Sequence, residues 1–150
     1  MKIKIISLGK FKKNPPLNEI FEYYKKRISL ELDLVELKTY DIEKNKKLKF
    51  EKNEIQKYLK PTDCVVVLDN NGKITTSEDF ASFLKKKMLN ANRRICFLIG
   101  SELGLDDSLK DSNLSISFGK QTWPHLLVRI MLIEQIYRSL EIIKGSPYHK

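Results

Sequence analysis

Residues 64–69, CVVVLD, form a short apolar run that is rich in β-branched side chains and ends in an aspartate. Such runs are typical of strands covered on both faces, as in parallel sheets flanked by helices. A second run of this kind, RICFLIG at 94–100, follows a segment with apolar residues at helical spacing between Phe80 and Met88. A strand, a helix and another buried strand predict a parallel βαβ unit.

The same alternation continues on both sides of this unit. Turn and cap signals lie within it, because NNG at 70–72 predicts a turn and Ser77 predicts a helix cap. The whole order βαβαβαβ(α)βα predicts an α/β fold, a mostly parallel sheet sandwiched by helices. The outer predicted elements are strands at 2–8, 32–37 and 114–119, and helices at 14–28, 48–60, 105–112 and 124–143.

The last predicted helix is apolar over most of its length. Its expected buried stripe is Leu127, Ile130, Met131, Tyr137 and Leu140. The segment that follows it, GSPYHK, predicts a flexible end.

The composition indicates one globular domain spanning 1–150, with 41% hydrophobic and 31% charged residues. Its apolar runs are far shorter than the roughly 20 residues that cross a bilayer, and MKIKIISLGK lacks the pattern of a signal peptide. We therefore expect a cytoplasmic protein without a membrane partner. Both cysteines lie in apolar runs and predict buried free thiols, and without a CxxC motif or a histidine cluster we expect no metal site.

Positive charge is concentrated in the first part of the chain. Residues 1–60 hold 16 basic against 9 acidic side chains, whereas 61–150 hold 12 against 10. An excess of cations attracts polyanions such as nucleic acids. Most of these cations are lysines, so a lysine-rich, merely solvated surface is an equally good explanation.

Three loops follow the most clearly predicted strands: 68–72, 99–104 and 118–125. In parallel sheets, ligands bind beyond the carboxyl ends of the strands. Gly100 and Gly104 form neither a phosphate-binding loop nor a GxGxxG dinucleotide motif. The sequence therefore favours a ligand held by backbone groups over an ATP or GTP site, although each glycine taken singly also fits a simple turn.

The start of the last helix carries a histidine and an arginine. Pro124 fits the first helical position, and the helix dipole is expected to lower the pKa of His125. Arg129 is one turn further on the same face, which suggests an anion or base-edge contact. Alternatively, His125 caps its own helix and Arg129 pairs with Glu102 or Asp106 at the surface.

The stretch TWPHLLVRIMLIEQIYRSLEIIKGSPYHK, preceded by FLIG and VVVLD, closely resembles the C-terminal half of the ribosomal RNA large subunit methyltransferase H family. These proteins are small bacterial members of the SPOUT methyltransferase superfamily. The Pro-His pair, the arginine four residues later, the Glu-Gln-x-Tyr-Arg and the terminal Tyr-His-Lys fall at family spacing. The opening IKIISLGK and the overall length also fit, so the resemblance covers essentially the whole chain.

The resemblance implies an enzyme that transfers a methyl group from S-adenosylmethionine to N3 of a pseudouridine in 23S rRNA, within the assembled 70S ribosome. It also implies a homodimer and a C-terminal trefoil knot. A non-catalytic, basic α/β factor that binds RNA or the ribosome is the alternative of a different class.

Site residues follow from the same match. His149 or Tyr148, from the partner subunit, is expected near the target base, with His125 and Arg129 shaping the site or contacting RNA. Lysines within 10–13, 25–27 and 44–49 are candidate phosphate contacts. Ser101 departs from the second glycine usual in the family and puts the loop shape in doubt. The expected cofactor-binding residues are Leu68, Gly100, Phe118, Gly119, Lys120, Gln121, Thr122 and Trp123.

Overall fold

The structure is a computed structural model that describes residues 1–10, 14–89 and 94–150. Strands and helices alternate along the chain in the predicted order. The strands are β1 (Lys2–Leu8), β2 (Glu31–Leu37), β3 (Cys64–Ile74), β4 (Arg94–Ile99) and β5 (Leu114–Ser117). The helices are α1 (Pro15–Lys25), α2 (Lys44–Gln56), α3 (Ser77–Met88), α4 (Asp107–Asp111) and α5 (His125–Lys144).

The five strands form one sheet in the order β2-β1-β4-β3-β5. Every neighbouring pair is parallel, which confirms the predicted α/β class. Because all strands run the same way, the loops that follow them meet at one edge of the sheet. We call this the carboxyl edge.

Alternating side chains of the strands bury two apolar layers. On β4, Ile95, Phe97 and Ile99 pack with α1, α3 and α5, whereas Leu98 packs with α2 and α4 on the opposite face. The sheet is therefore covered on both sides, as its continuous apolar runs predict.

The starts of two helices differ from the prediction. Helix α2 begins at Lys44 rather than residue 48, because the carboxylate of Glu43 accepts hydrogen bonds from the first free amides, those of Asn45 and Lys46. Helix α3 is capped by Thr76, whose hydroxyl accepts from the amide of Asp79. Ser77, the predicted cap, is instead the first helical residue and donates to Gln135.

The turn predicted at 70–72 does not end the strand, because β3 continues to Ile74. Its pairing with β5 shifts register: Leu68 and Lys73 both lie opposite Ile116, so 69–72 form an outward excursion of the strand. Gly72 marks the return, and a Cβ there would lie 2.7 Å from the Ile116 carbonyl carbon. Only glycine fits this close approach without a shift of the backbone.

The buried stripe of α5 is rotated from the predicted one. Leu127 is 39% exposed and, of the five predicted residues, only Leu140 is buried. The buried positions are instead Arg129, Leu132, Ile133, Ile136, Ser139 and Leu140. Periodicity failed here because the helix is apolar on several faces, so its pattern does not single out one of them.

Cys64 is partly buried and Cys96 is buried, and both are free thiols, as predicted. Among the described residues, no helix is long and apolar enough to cross a membrane. Within the same ranges, no group of three or more histidine, cysteine or acidic side chains could hold a metal ion.

Candidate active site

A cavity of about 580 Å³ opens at the carboxyl edge, at the excursion of β3 and beyond the end of β4. All three loops singled out in the sequence contribute to it, and we call it the edge cavity. Its volume is that of a typical small-molecule site. Its lining includes Leu68, Asp69, Asn70, Ile99, Gly100, Glu102, Leu103, Thr122, Trp123, His125 and Val128.

The loop from Gly100 to Gly104 is folded tightly on itself. The amide of Gly104 donates to the carbonyl of Ser101 at 2.9 Å. A Cβ on Gly100 would lie 2.4 Å from the carbonyl carbon and oxygen of Gly104, so position 100 requires glycine. Ser101 does not have a positive φ, so serine is compatible with this backbone conformation, whereas its effect on cofactor affinity stays a prediction.

Two side chains of α2 bind this loop. The ammonium of Lys47 pairs with Glu102, and the hydroxyl of Ser101 donates to Glu51 at 3.0 Å. Lys47 and Glu51 are only 6% and 2% exposed. Burial raises the pKa of Glu51, against the Ser101 hydrogen bond and the nearby Lys47, while the hydrogen bond to Glu102 raises the pKa of Lys47.

The other two loops meet across the mouth of the cavity. The side-chain amide of Asn70 donates to the hydroxyl of Thr122 at 3.3 Å. Asp69 accepts from the amide of Asn71 at 2.8 Å and lies 3.4 Å from the ammonium of Lys110. The Asn70–Thr122 contact joins the excursion of β3 to the loop before α5, and the Asp69–Lys110 pair joins it to α4.

His125 lies at the first position of α5, with Pro124 at the N-cap rather than inside the helix as predicted. The imidazole lines the edge cavity and is partly buried. Its pKa is lowered, chiefly by burial and then by Arg129, which favours the neutral ring expected from the sequence. Gly9 lies against it, since a Cβ on Gly9 would come 3.1 Å from Nε2 of His125.

Arg129 is fully buried. Its guanidinium donates to Glu36 at 2.8 Å and to the carbonyls of Leu8 and Gly9 at 2.6 and 2.8 Å. Neither predicted surface pairing, with Glu102 or Asp106, occurs; the partner is Glu36 on β2. Because it is buried, Arg129 does not contact RNA from the surface of the protomer. Of the two predicted roles, shaping the site remains.

The predicted cofactor residues divide between two places. Leu68, Gly100, Thr122 and Trp123 line the edge cavity. Phe118 and Gly119 line a second, mostly apolar cavity of about 510 Å³ between α1, α3 and α5, which we call the helix cavity. Lys120 and Gln121 are exposed and line neither of these two cavities.

The terminal segment, expected to be flexible, packs on its own protomer. The hydroxyl of Tyr148 donates to Glu134 at 3.0 Å, and Nε2 of His149 lies 2.8 Å from a carboxylate oxygen of Glu78. Arg138 lies over the Tyr148 ring, 4.8 Å from its centroid. Neither tail residue lines the edge cavity of the same protomer.

Two residues of this region, Glu36 and Glu51, were not predicted from the sequence as part of the site. Lys47 was expected at the surface as a phosphate contact, and Asn70 only as part of a turn and loop. Charged side chains in a predicted strand or helix are normally expected at the surface. The one available signal was spacing, because Lys47, Glu51 and Ile55 recur every four residues on one helical face.

The edge cavity combines apolar walls, closely spaced backbone groups and a neutral histidine, which suits a nucleoside-like ligand better than a polyphosphate. The family model described as "Predicted SPOUT methyltransferase" matches residues 1–149. The class of protein that the sheet and its edge cavity define is thereby a methyltransferase.

Full-length relatives narrow this class. The chain is 42% identical to a Streptococcus equi subsp. zooepidemicus protein and 39% identical to a Clostridium botulinum (strain Okra) protein, each named "Ribosomal RNA large subunit methyltransferase H". Both alignments cover all of this chain and all of the relative. The chain therefore belongs to the SPOUT methyltransferase family and, within it, to the group of ribosomal RNA large subunit methyltransferase H proteins. This confirms the resemblance recognised in the sequence.

Proposed function

We propose that this protein methylates N3 of a pseudouridine in 23S rRNA, acting in the cytoplasm on the assembled 70S ribosome with S-adenosylmethionine as donor. The observation that carries the proposal is the edge cavity, which three loops build at the carboxyl edge of a chain with full-length rRNA methyltransferase relatives.

The edge cavity fits the cofactor in size and chemistry. Leu68, Gly100, Thr122 and Trp123 would hold it, with apolar walls for the adenine and backbone groups for the ribose. Phe118, Gly119, Lys120 and Gln121 belong to the same loop but line the helix cavity or neither cavity, so they would reach the cofactor only if this loop changed its conformation on binding. The cofactor supplies a methyl group on a positively charged sulfonium, which is a strong leaving group.

The chain's own task is to place the base and to accept its N3 proton, which is present at neutral pH. A positioned base contributes typically 100-fold or more to such a step. We assign this task to His149. Burial, with hydrogen bonds to neighbouring groups, raises the pKa of Tyr148, so its hydroxyl stays protonated and acts only as a hydrogen-bond donor.

We further propose that the enzyme is a homodimer in which the tail of one subunit completes the edge cavity of the other. Support comes from the absence of both tail residues from the cavity of their own protomer. The mouth of the helix cavity adds to it, because Ile20 and Ile74 are 43% and 55% exposed there and form an apolar surface suited to a second copy. Each subunit would be a single domain with a knotted C-terminal half.

The rRNA phosphates would bind to lysines of the basic first part of the chain. Lys44, Lys46 and Lys49 are exposed, as is Lys26. Lys47 is removed from this set because it is buried and paired with Glu102. Residues 11–13 of the proposed set lie outside the described residues, and Lys10 is exposed.

Radiolabelled methyl transfer tests the proposal, with 70S ribosomes, free 50S subunits and free rRNA as parallel substrates. We expect label in the 23S rRNA of 70S ribosomes and at most weak labelling of the other two. If the protein binds ribosomes but neither binds S-adenosylmethionine in calorimetry nor transfers the methyl group, the non-catalytic RNA-binding factor is the correct alternative.

The role of the tail is tested by single-turnover methylation with His149→Ala. We expect a loss of at least about 100-fold in rate with unchanged cofactor affinity. Mixing this variant with a second inactive variant, altered in the edge cavity, would restore activity in heterodimers if the tail acts across the interface. An unchanged rate for His149→Ala would remove this residue from the mechanism.

A further inference from the structure

We infer that Tyr40, in the segment before α2, and Phe50, on α2, form a stacking surface for an unpaired RNA base beside the target nucleotide. The inference rests on the proposed function and adds residues to it that neither the family match nor the charge pattern indicates.

The first observation is an exposed aromatic pair. The rings of Tyr40 and Phe50 lie 5.0 Å apart and almost perpendicular, at 83°. Both side chains remain open to solvent, with 44% and 38% of their surface exposed, and Ile42 between them in the chain is 47% exposed. Tyr40 follows the end of β2, so the pair begins at the same carboxyl edge as the cavity.

The second observation is that this pair is held at a fixed place relative to the edge cavity. Lys47 and Glu51 flank Phe50 in the helix, and they are the side chains bound to Glu102 and Ser101 of the cavity loop. The inner face of α2 is thereby attached to the loop, and Phe50 lies beside this face, about 100° around the helix from Glu51. Phe50 is three positions after Lys47 in the helix, a rise of about 4.5 Å.

The third observation is the charge around the pair. Lys46 and Lys49 are exposed on the outer face of α2, and Lys44 is exposed at its start. In the described part of the chain, no carboxylate forms an ion pair with any of the three, although a serine hydrogen bond and, to a lesser extent, Lys49 lower the pKa of the Asp106 carboxyl. Glu43 caps the helix, so the charges of Lys44 and Lys46 are available to a bound anion and that of Lys49 is partly shared with Asp106.

Aromatic faces among unpaired lysines match single-stranded RNA, in which bases stack and phosphates pair. An acidic peptide would use the lysines but would leave the rings exposed. A mostly apolar protein partner would use the rings but would bury three cations without partners, which is costly.

The test measures the affinity of Phe50 variants for 70S ribosomes from a strain that lacks the endogenous enzyme. Loss of one base–aromatic stack corresponds to about tenfold weaker binding. We expect this loss for Phe50→Leu, which keeps an apolar side chain on the helix, and retention of affinity for Phe50→Trp. S-adenosylmethionine affinity and thermal stability should be unchanged in both.

Tyr58→Ala is the matched control, because Tyr58 is similarly exposed and lies two residues beyond the end of α2, away from the carboxyl edge. Equal ribosome affinity of Phe50→Leu and the wild type would overturn the inference. An ultraviolet cross-link from a photoreactive phenylalanine analogue at position 50 should fall on rRNA; a cross-link only to a ribosomal protein would equally overturn it.

Failure of the proposed function gives a different result. If the wild type transfers no methyl group to rRNA but binds ribosomes in a manner that depends on the Phe50 ring, the stacking surface stands and the enzymatic assignment falls. If the wild type methylates rRNA and the Phe50 variants bind normally, only the stacking surface falls. A wild type that does neither overturns both.

Discussion

Arg129 on α5 donates a hydrogen bond to Glu36 on β2 at 2.8 Å, and the two side chains are 0% and 5% exposed. The same guanidinium binds the carbonyls at the end of β1. One side chain thus joins the last helix to two neighbouring strands at the carboxyl edge. Burial lowers the pKa of Arg129 to about 10, against the attraction of Glu36, so the side chain stays charged at neutral pH.

Removing this arginine should destabilise the fold. Because Arg129→Ala leaves Glu36 buried without this cation, we expect the free energy of unfolding to fall by about 3–5 kcal/mol in urea titrations. Lys144→Ala, which breaks the exposed pair with Glu141, should cost at most about 0.5 kcal/mol. A variant at 129 that is as stable as the wild type but has lost ribosome affinity would instead assign Arg129 to RNA binding.

His125 should make stability depend on pH below neutrality. Its folded pKa lies below the ordinary value of 6.5, so the unfolded chain binds the proton more readily. The stability due to this group is fully present above pH 6.5 and is lost as the pH falls towards the lowered pKa. Urea unfolding of the wild type and of His125→Gln should be measured from pH 5 to 8. The loss of unfolding free energy below pH 6.5 that is due to His125 should be absent from the variant. Parallel curves for the two proteins would contradict the lowered pKa.

Two glycines of the same loop should respond differently to alanine. A Cβ at Gly100 collides with the backbone of Gly104, whereas a Cβ at Gly104 meets open space and suffers only from a φ of +78°. We expect Gly104→Ala to cost about 1 kcal/mol of stability and to retain cofactor binding. Gly100→Ala should open the loop and abolish measurable S-adenosylmethionine binding in calorimetry. Similar affinities for the two variants would show that the loop does not hold the cofactor.

The lysines of α2 should appear in the salt dependence of ribosome binding. If Lys46 and Lys49 each neutralise one phosphate, replacing either by alanine should reduce the slope of log affinity against log salt by about one. Lys85 on α3 is also exposed and belongs to none of the proposed contacts, so Lys85→Ala is the control. An unchanged slope for both α2 variants would show that these lysines are solvated and do not contact rRNA phosphates.

The fold was predictable from the sequence because its strands are marked by local chemistry. The runs around Val66 and Phe97 are apolar and bounded by polar or glycine residues. Short apolar runs with such boundaries are typical of buried strands. The three loops at the carboxyl edge follow from the parallel order alone. The prediction of methyl transfer came from the family resemblance, because neither the charge pattern nor the periodicity of the sequence indicates a reaction.

The buried polar residues were not predictable in the same way. Arg129 was expected near an anion and Lys47 on a solvated helix, because an isolated charged residue is usually exposed. What places them inside is a partner distant in sequence: Glu36 is 93 residues from Arg129, and Glu102 is 55 residues from Lys47. Such pairs depend on the assembled tertiary structure, and no local pattern encodes them.

The excursion at 69–72 can change in length without changing how β3 pairs with β5. Since Leu68 and Lys73 face the same residue of β5, the sheet pairing before and after the excursion is independent of its length. Insertions between Asp69 and Asn71 are therefore expected to deepen or widen the mouth of the edge cavity while Gly72 and the paired residues of the sheet keep their places. The shape of the cavity mouth can thus change in evolution while the folding of the sheet is preserved.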